Sequence, residues 1–410
     1  MSRRARTLLL VSQVYVPDPA SVGQHLADLA AEVVRRGYRV LVLTSARGYD
    51  DPSARFAPRE TLDGVEVRRL PLSSTGKGSI VARLVGQALF LAQATARGMF
   101  TRDLAAVLVS TSPPMAAMAA LAIAGVRRVP IVYWAMDINP DQVVSLGLAR
   151  QGSPWVRLFE ALNRRILSRA RAVITLDRFM AARLNRKMDV SGKLEVFPPW
   201  PHEDHIEAVE HANNPFRERH GLAGKFVVMY SGNHGPTNPF DTVLEAAKRL
   251  AHRPDIVFAF VGGGIGKRSV DRVVAGGAAN VVSLPYQPLA ELRYSLSAAD
   301  VHLVTVGGGT VGIVHPCKVY GAMAAARPIL YLGPRPSHVT DLLDLDDMGW
   351  HVEHGDVDGA VDAVLGMAGT DPKRLADMGA RARKAIDTRF GKAILCARFA
   401  DIVERVIQGT

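Results

Sequence analysis

Short runs of aliphatic and β-branched residues alternate along this chain with stretches that repeat apolar positions every three or four residues. A short, wholly apolar run suits a strand buried on both faces, and the three-to-four repeat suits a helix covering it. The alternation therefore predicts parallel sheets with helices on both sides. In the first half, strands are expected at residues 7–11, 39–44, 65–70, 105–110, 130–134, 172–176 and 194–197. Between the first two, Leu26, Leu29, Ala30 and Val33 recur at helical spacing and Gly37 supplies a stop signal.

Pro198, Pro199, Trp200 and Pro201, followed by polar residues up to Asn213-Asn214-Pro215, interrupt this periodicity as a linker does. Strands are expected again at 226–230, 256–261, 281–284, 301–306 and 328–332, with helices starting near Asn238, Lys267, Leu289 and Pro316. Three further helical stretches lie near 357–368, 372–386 and 393–407. The expected fold class is α/β, with two doubly wound, Rossmann-like domains at 1–200 and 223–390, a linker at 201–222 and a terminal helix at 391–410. Ligands in such sheets bind beyond the carboxyl ends of the strands, so a central cleft lined by those loops is the place to look for chemistry.

With 410 residues, 48% of them hydrophobic, the chain has material for two cores. Only Cys317 and Cys396 are cysteines, too few for a disulfide framework or a four-cysteine zinc site, which fits a reducing cytoplasm. The formal charge of +11 is uneven: residues 1–200 hold 28 Lys and Arg against 15 Asp and Glu, a net +13, and the rest of the chain is at −2. From Arg68 to Arg102 there are six bases (Arg68, Arg69, Lys77, Arg83, Arg97 and Arg102) and no acid. Such a face attracts polyanions, although an ordinary solvated arginine-rich surface reads the same way. No apolar run reaches the roughly 18 residues of a membrane span. The mostly apolar stretch 79–100, with Arg83 and Arg97 inside it, suits a helix lying flat on an anionic membrane or a core helix of the first domain. A nucleic-acid-binding role has no recognised motif or aromatic platform to support it.

Several loops carry candidate chemistry. After the expected strand at 301–306, Gly307-Gly308-Gly309-Thr310-Val311-Gly312 leads through His315 to a helix start with Lys318 in its first turn, a combination suited to cradling phosphate. No acidic residue follows at the spacing of a dinucleotide fingerprint, which excludes a plain NAD site. Gly262-Gly263-Gly264-Ile265-Gly266-Lys267 resembles a phosphate loop but has the wrong spacing and lacks the Ser or Thr that would hold magnesium. Ser231-Gly232-Asn233-His234-Gly235 adds a third glycine-flanked loop at the same sheet edge, each loop being on its own either a tight turn or a ligand contact. In the first domain, Gly23, Gln24 and His25 follow strand one, with His25 either a base or an exposed helix residue. Asp137 follows the strand at 130–134, either at the site or capping a turn before Pro140. Asp344 and Asp346 fall in an acidic run, 341–347, that reads as a solvated turn, so no metal site is expected.

Taken together, Tyr230-Ser231-Gly232-Asn233-His234-Gly235, Val261-Gly262-Gly263-Gly264, Leu284-Pro285-Tyr286-Gln287-Pro288, Pro316-Cys317-Lys318 and Ala325-Ala326-Arg327-Pro328 resemble the GT-B fold, retaining glycosyltransferases of family GT4. Asp137-Ile138-Asn139-Pro140 and Phe197-Pro198-Pro199-Trp200 are similar to the subgroup that builds O-antigen, colanic acid and related bacterial surface polysaccharides. The family's glutamate pair falls on Ile313 and Gly321, its Arg and Lys after the first strand of the second domain on Asn233 and Asn238, and its histidine before aspartate on Met136. Lys318 would then replace the missing cations.

The resemblance implies sugar transfer from a nucleotide-sugar donor, UDP-linked, to a glycan or polyprenyl-linked acceptor, with retention and with neither cofactor nor metal. It places the donor on Gly232, Asn233, His234, Gly263, Gly264, Lys267, Tyr286, Gln287, Gly309, Thr310, Val311, His315 and Lys318. The acceptor would meet Gly23, Gln24, His25 and Asp137, with Asp137 and Lys318 in the catalytic roles. A cytoplasmic enzyme is expected, peripheral on the inner face of the membrane. A catalytically inactive scaffold and a nucleotide-sugar 2-epimerase are the alternatives of the same fold.

Overall fold

In the computed structural model, which describes residues 6–18, 20–48, 53–71, 73, 80–202 and 206–409, with the backbone alone at 80, 81 and 83, the first apolar run becomes the middle of a sheet. Leu8, Leu9, Leu10 and Val11 are fully buried, each contributing roughly 1.5–3 kcal/mol by leaving water. Around this strand, β1 (Thr7–Val11), stand β2 (Arg39–Ser45), β3 (Arg59–Leu62), β4 (Val65–Leu70), β5 (Leu104–Ser110), β6 (Ile131–Ala135), β7 (Ala172–Thr175) and β8 (Leu194–Val196), in the order β3-β4-β2-β1-β5-β6-β7-β8. All neighbours pair in parallel except β3 with β4. The strand β3 is absent from the sequence expectation because Arg-Glu-Thr-Leu has no apolar run. Its signal was the next dipeptide, Asp63-Gly64, whose positive φ values of 48° and 78° form the two-residue hairpin turn.

A second parallel sheet holds β9 (Phe226–Ser231), β10 (Ile256–Val261), β11 (Val281–Leu284), β12 (Val301–Thr305), β13 (Ile329–Leu332) and β14 (Gly349–Val352), in the order β11-β10-β9-β12-β13-β14. Here β14 was not anticipated, being a half-buried edge strand in which glycine is obligatory: a Cβ on Gly349 would lie 2.0 Å from the Ile329 carbonyl oxygen. Phe258 and Phe260 from β10, Tyr230 from β9 and Phe240 fill one face of this sheet.

The chain divides into two compact units, Met1–Pro199 with Ala393–Thr410, and Trp200–Lys392. Within the first, the helix Lys392–Gln408 docks by aromatic and ionic contacts. Phe399 meets Trp134 edge-on at a centroid distance of 4.9 Å, and Arg36 reaches Asp401 at 2.6 Å and Glu404 at 3.3 Å. Residues 206–222, expected as part of a linker, instead fold onto the second unit. Arg217, buried, donates to the carbonyls of Ala298 and Leu222 and pairs with Asp300, and Asn214 caps the short helix Pro215–Arg219.

The acidic run 341–347 is exposed from Asp344 to Asp347, as expected, but it begins as the end of a helix and bends only at Asp346 and Asp347. Ser337 and Thr340 form a capping box for the helix His338–Leu345, Asp344 pairs with Arg335 at 2.6 Å, and Asp347 pairs with Arg381 at 3.1 Å. The apolar stretch at 79–100 forms the helix Ile80–Met99, burying Phe90 and Ala94 and exposing Leu84, Val85 and Leu89. Lys77 and the side chain of Arg83 lie outside the described residues. Among the described residues, no helix is long and apolar enough to cross a membrane.

Candidate active site

In the second sheet the chain winds one way from β9 to β10 and β11 and the other way through β12, β13 and β14, so the switch point falls between β9 and β12. A crevice opens there because connections leave adjacent strands on opposite faces. Three loops meet at this edge through main-chain bonds: Gly232 N–H donates to Val261, His234 N–H to Gly263, Gly266 N–H to His234 and Gly307 N–H to Thr237, at 2.7–2.9 Å. Thr305 Oγ1 donates to the Pro239 carbonyl at 2.7 Å, adding the end of β12 to the same lacing.

That approach explains part of the glycine content. A Cβ on Gly262 would lie 2.0 Å from the Gly232 oxygen, and one on Gly264 2.5 Å from Asn233 Oδ1; both residues have strongly positive φ. These glycines are needed to let two loops touch. By contrast, Gly308 and Gly309 are exposed, have ordinary φ, and would carry a Cβ with nothing within 4 Å. Packing gives no reason for glycine at those two positions, which leaves the main chain of the expected phosphate loop open to an approaching group. The loop is not wholly free, however: it closes into a 3-10 turn, Gly308–Thr310, and Thr310 spends both its N–H and its hydroxyl on the Gly307 carbonyl.

Lys318 opens the helix Lys318–Ala324 and lies across the switch point. Its ammonium sits over the Tyr230 ring at 5.5 Å from the centroid, and its stem fills the space beside Gly232, where a Cβ would fall 2.8 Å from Cε. Among the described residues, no carboxylate or carbonyl accepts a hydrogen bond from it, and desolvation holds its pKa below the ordinary lysine value. A largely buried cation without an anionic partner is costly, and an anion placed there offsets that cost. Lys267, also held below the usual lysine pKa by desolvation, donates to the Leu284 carbonyl at 2.6 Å and so ties β11 to the same edge.

His234, expected among the donor contacts, is completely buried, its ring packed against Tyr230, Phe240 and Phe260. Its Nδ1 bonds the Gly232 carbonyl at 3.1 Å. Burial, reinforced by the charges of Lys267 and Lys318, pushes its pKa down to about 4, so it is neutral and acts as a strut beneath the loop. Tyr286 is exposed, its ring over Gly263 and its hydroxyl 3.3 Å from the Gly263 carbonyl. Gln287 is half-buried and donates to the Pro285 carbonyl. Val311 packs partly into the core, and His315 stacks on Tyr320 with its Nε2 3.3 Å from the Tyr320 hydroxyl. Tyr230 was missed by sequence reasoning, because a tyrosine ending a strand carries no signal that a lysine 88 residues later will rest on it.

In the first unit the switch point lies between β1 and β5. Gly23, in the first turn of the helix Ser21–Arg35, is forced by contact, since a Cβ would stand 3.0 Å from the Tyr15 backbone. Gln24 is half-buried beside it. His25 is neither exposed nor open to solvent: it is buried, with Nδ1 2.7 Å from the Ser21 carbonyl and its ring edge-on to Trp134. Asp137, past the end of β6, is half-buried, and among the described residues its carboxyl group has no hydrogen-bond partner and caps no turn. Its main-chain N–H donates to Thr111 Oγ1 at 3.2 Å, fixing its position, and burial pushes its pKa up to about 6.

The Glycosyl transferase 4-like domain matches residues 21–200. WbjE of Pseudomonas aeruginosa, named as a glycosyltransferase, is 26% identical over 272 residues, covering 66% of this chain and 67% of its own. WcaI of Escherichia coli (strain K12), named for colanic acid biosynthesis, is 27% identical over 328 residues, 76% and 79%. A GDP-mannose-dependent alpha-(1-6)-phosphatidylinositol monomannoside mannosyltransferase of Mycolicibacterium smegmatis is 27% identical over 396 residues, 92% of each chain. Among solved structures, Anabaena Alr3699/HepE in complex with UDP-glucose superposes with a TM-score of 0.71 at 15% identity, over 97% of this chain and 99% of that one. Two Rossmann-like parallel-sheet units of this kind, with these relatives, define a glycosyltransferase of GT-B fold. It is an enzyme with a glycosyl transferase 4-like domain at residues 21–200, similar to proteins named as glycosyltransferases.

Proposed function

We propose that this enzyme moves a sugar, with retention of configuration, from a UDP-linked donor held on the second unit to a glycan or polyprenyl-linked acceptor held on the first. The observation that carries the reading is the unpaired, desolvated Lys318 at the switch point, beside the open glycines 308 and 309. A diphosphate leaving group brings the charge this cation lacks, and stabilisation that grows as the sugar–phosphate bond breaks lowers the barrier. With no carboxylate beside Lys318 among the described residues, we assign the acceptor proton to the departing phosphate on the same face of the sugar, and no metal to the cycle. Asp137 then orients the acceptor hydroxyl. UDP-glucose in the Anabaena neighbour supports a uridine donor, and the GDP-mannose named for the mycobacterial relative makes guanosine the competitor.

The attachment we assign is peripheral, on the cytoplasmic face of an anionic membrane, supported by the +13 charge of residues 1–200. Thermal unfolding with UDP- and GDP-linked sugars tests the donor, since a ligand of the native state raises Tm with its concentration over Kd. A rise with a UDP-sugar, smaller in Lys318→Ala, is expected, together with release of free UDP when acceptor is added. Stabilisation without UDP release under any acceptor would favour an inactive scaffold, and conversion of the free nucleotide sugar would favour an epimerase.

A further inference from the structure

We infer that three neighbouring helices of the first unit form the surface that meets an anionic bilayer, with a groove rimmed by Arg128, Arg165 and Arg169 receiving a phospholipid phosphate. This rests on the peripheral attachment proposed above and names where it occurs. The helices Ile80–Met99, Ala116–Arg127 and Pro154–Arg169 connect β4 to β5, β5 to β6 and β6 to β7. All three connections advance in the same direction along the sheet, so right-handed crossovers put them on one face, where the first packs on the second and the second on the third.

Their outward sides are unusually apolar. Phe100, just past the end of the first helix, is 86% exposed, Val126 64% and Leu158 63%, and Leu84, Leu89 and Trp155 are further exposed apolar residues of the same three helices. Large apolar groups gathered on one exposed face mark an interaction surface. Between the second and third helices lies a groove of about 640 Å³, floored by Leu121, Ala122 and Val129, with no acidic residue in its lining.

Arg128 is the informative residue of the rim. It ends its helix in the left-handed conformation, φ 54° and ψ 43°, a position where glycine is the ordinary occupant and a Cβ is disfavoured. Among the described residues its guanidinium gains no intramolecular partner in return, and neither Arg165 nor Arg169 has an ion pair or hydrogen bond. Three forks without carboxylates around an apolar floor match a phosphate that arrives with an acyl chain attached. Nucleic acid would ask for stacking platforms, and a free phosphate would leave the apolar floor of the groove and the exposed apolar residues of these helices without purpose. The surface also differs from the contact expected of the stretch 79–100 alone, because its charge comes from the other two helices.

The test uses the full chain and vesicles of phosphatidylcholine with or without phosphatidylglycerol. Wild type should co-sediment with the anionic vesicles and be released by salt. Arg128→Gln, Arg165→Gln and Arg169→Gln together should weaken partition on the order of 10²-fold, each base at such a surface being worth about fivefold. Stabilisation by donor should be unchanged in that variant. Brominated lipid should quench a tryptophan signal that disappears in Trp155→Phe, since Trp134 and Trp200 are buried and the half-buried Trp350 lies in β14 of the second unit. If wild type ignores anionic vesicles, the peripheral attachment fails and this face with it. If wild type binds while the triple variant partitions within twofold of it, or the Trp155 signal is not quenched, the attachment stands and this face is wrong.

Discussion

The Lys318 ammonium rests on the face of Tyr230, 5.5 Å from the ring centroid, and no acid among the described residues pairs with it. The ring seats the cation without neutralising it, as a carboxylate would, so the charge stays available to a ligand. Lys318→Ala should lower turnover by roughly 10²-fold, the usual effect of removing a donor to a developing oxyanion. Steady-state kinetics with the confirmed donor decide it, and turnover within threefold of wild type would remove Lys318 from the mechanism.

Asp137 supplies a pH dependence. Its pKa, pushed up to about 6 by burial, leaves it increasingly protonated below that pH, and the ionised form is the one that can only accept a hydrogen bond from an acceptor hydroxyl. The ratio kcat/KM should therefore rise with pH through about 6. Asp137→Asn should flatten that limb and cost about 10- to 100-fold, the worth of a charge-assisted hydrogen bond. A limb that persists in the variant belongs to another group.

The buried His234 of the second unit links stability to pH. Its folded pKa of about 4 lies below the unfolded histidine value of 6.5, so between those limits the unfolded chain binds the extra proton. Stability is complete above the unfolded value and is lost as pH falls toward 4. His302, buried and depressed to about 4 as well, adds to the same window. His234→Asn keeps a donor for the Gly232 carbonyl and removes the titration, so its Tm should fall less than that of wild type between pH 6.5 and 4.5. Parallel Tm profiles would count against this account.

Two classes of glycine should separate by mutation. Gly262→Ala forces a Cβ to 2.0 Å from the Gly232 oxygen at a positive φ and should destabilise the second unit by several kcal/mol, read by denaturant unfolding. Gly308→Ala and Gly309→Ala meet nothing, so they should leave stability within about 0.5 kcal/mol while weakening donor stabilisation. Unchanged donor binding in both would make that loop a simple connection.

Metal removal gives a direct check of the charge scheme. Activity should survive EDTA, because in the proposed scheme Lys318 and main-chain N–H groups hold the diphosphate, and Asp344 is paired with Arg335. Loss of turnover on chelation, restored by magnesium or manganese, would overturn that scheme.

Hydrophobic pattern alone determined the two parallel sheets, most strand positions and the loops at their carboxyl ends, because wholly buried strands must be apolar throughout and so announce themselves locally. The edge strands β3 and β14 did not, since one solvated or half-covered face frees their composition from that requirement. Glycine-rich loops were legible as special, but sequence does not distinguish Gly262, forced by a neighbouring carbonyl, from Gly308, which touches nothing. The run 341–347 was legible as solvated, but not that its first residues end a helix or that Asp344 and Asp347 find Arg335 and Arg381, partners set by folding rather than by spacing. His25, expected as a base or an exposed helix residue, and His234, expected as a donor contact, are both buried, and Asp137 acquires its raised pKa from surroundings that assemble only in the folded sheet. Residue identity fixes which groups can titrate or carry charge. Their burial and partners, and hence whether they do so at neutral pH, belong to the tertiary structure, because desolvation and pairing depend on residues far apart in the chain.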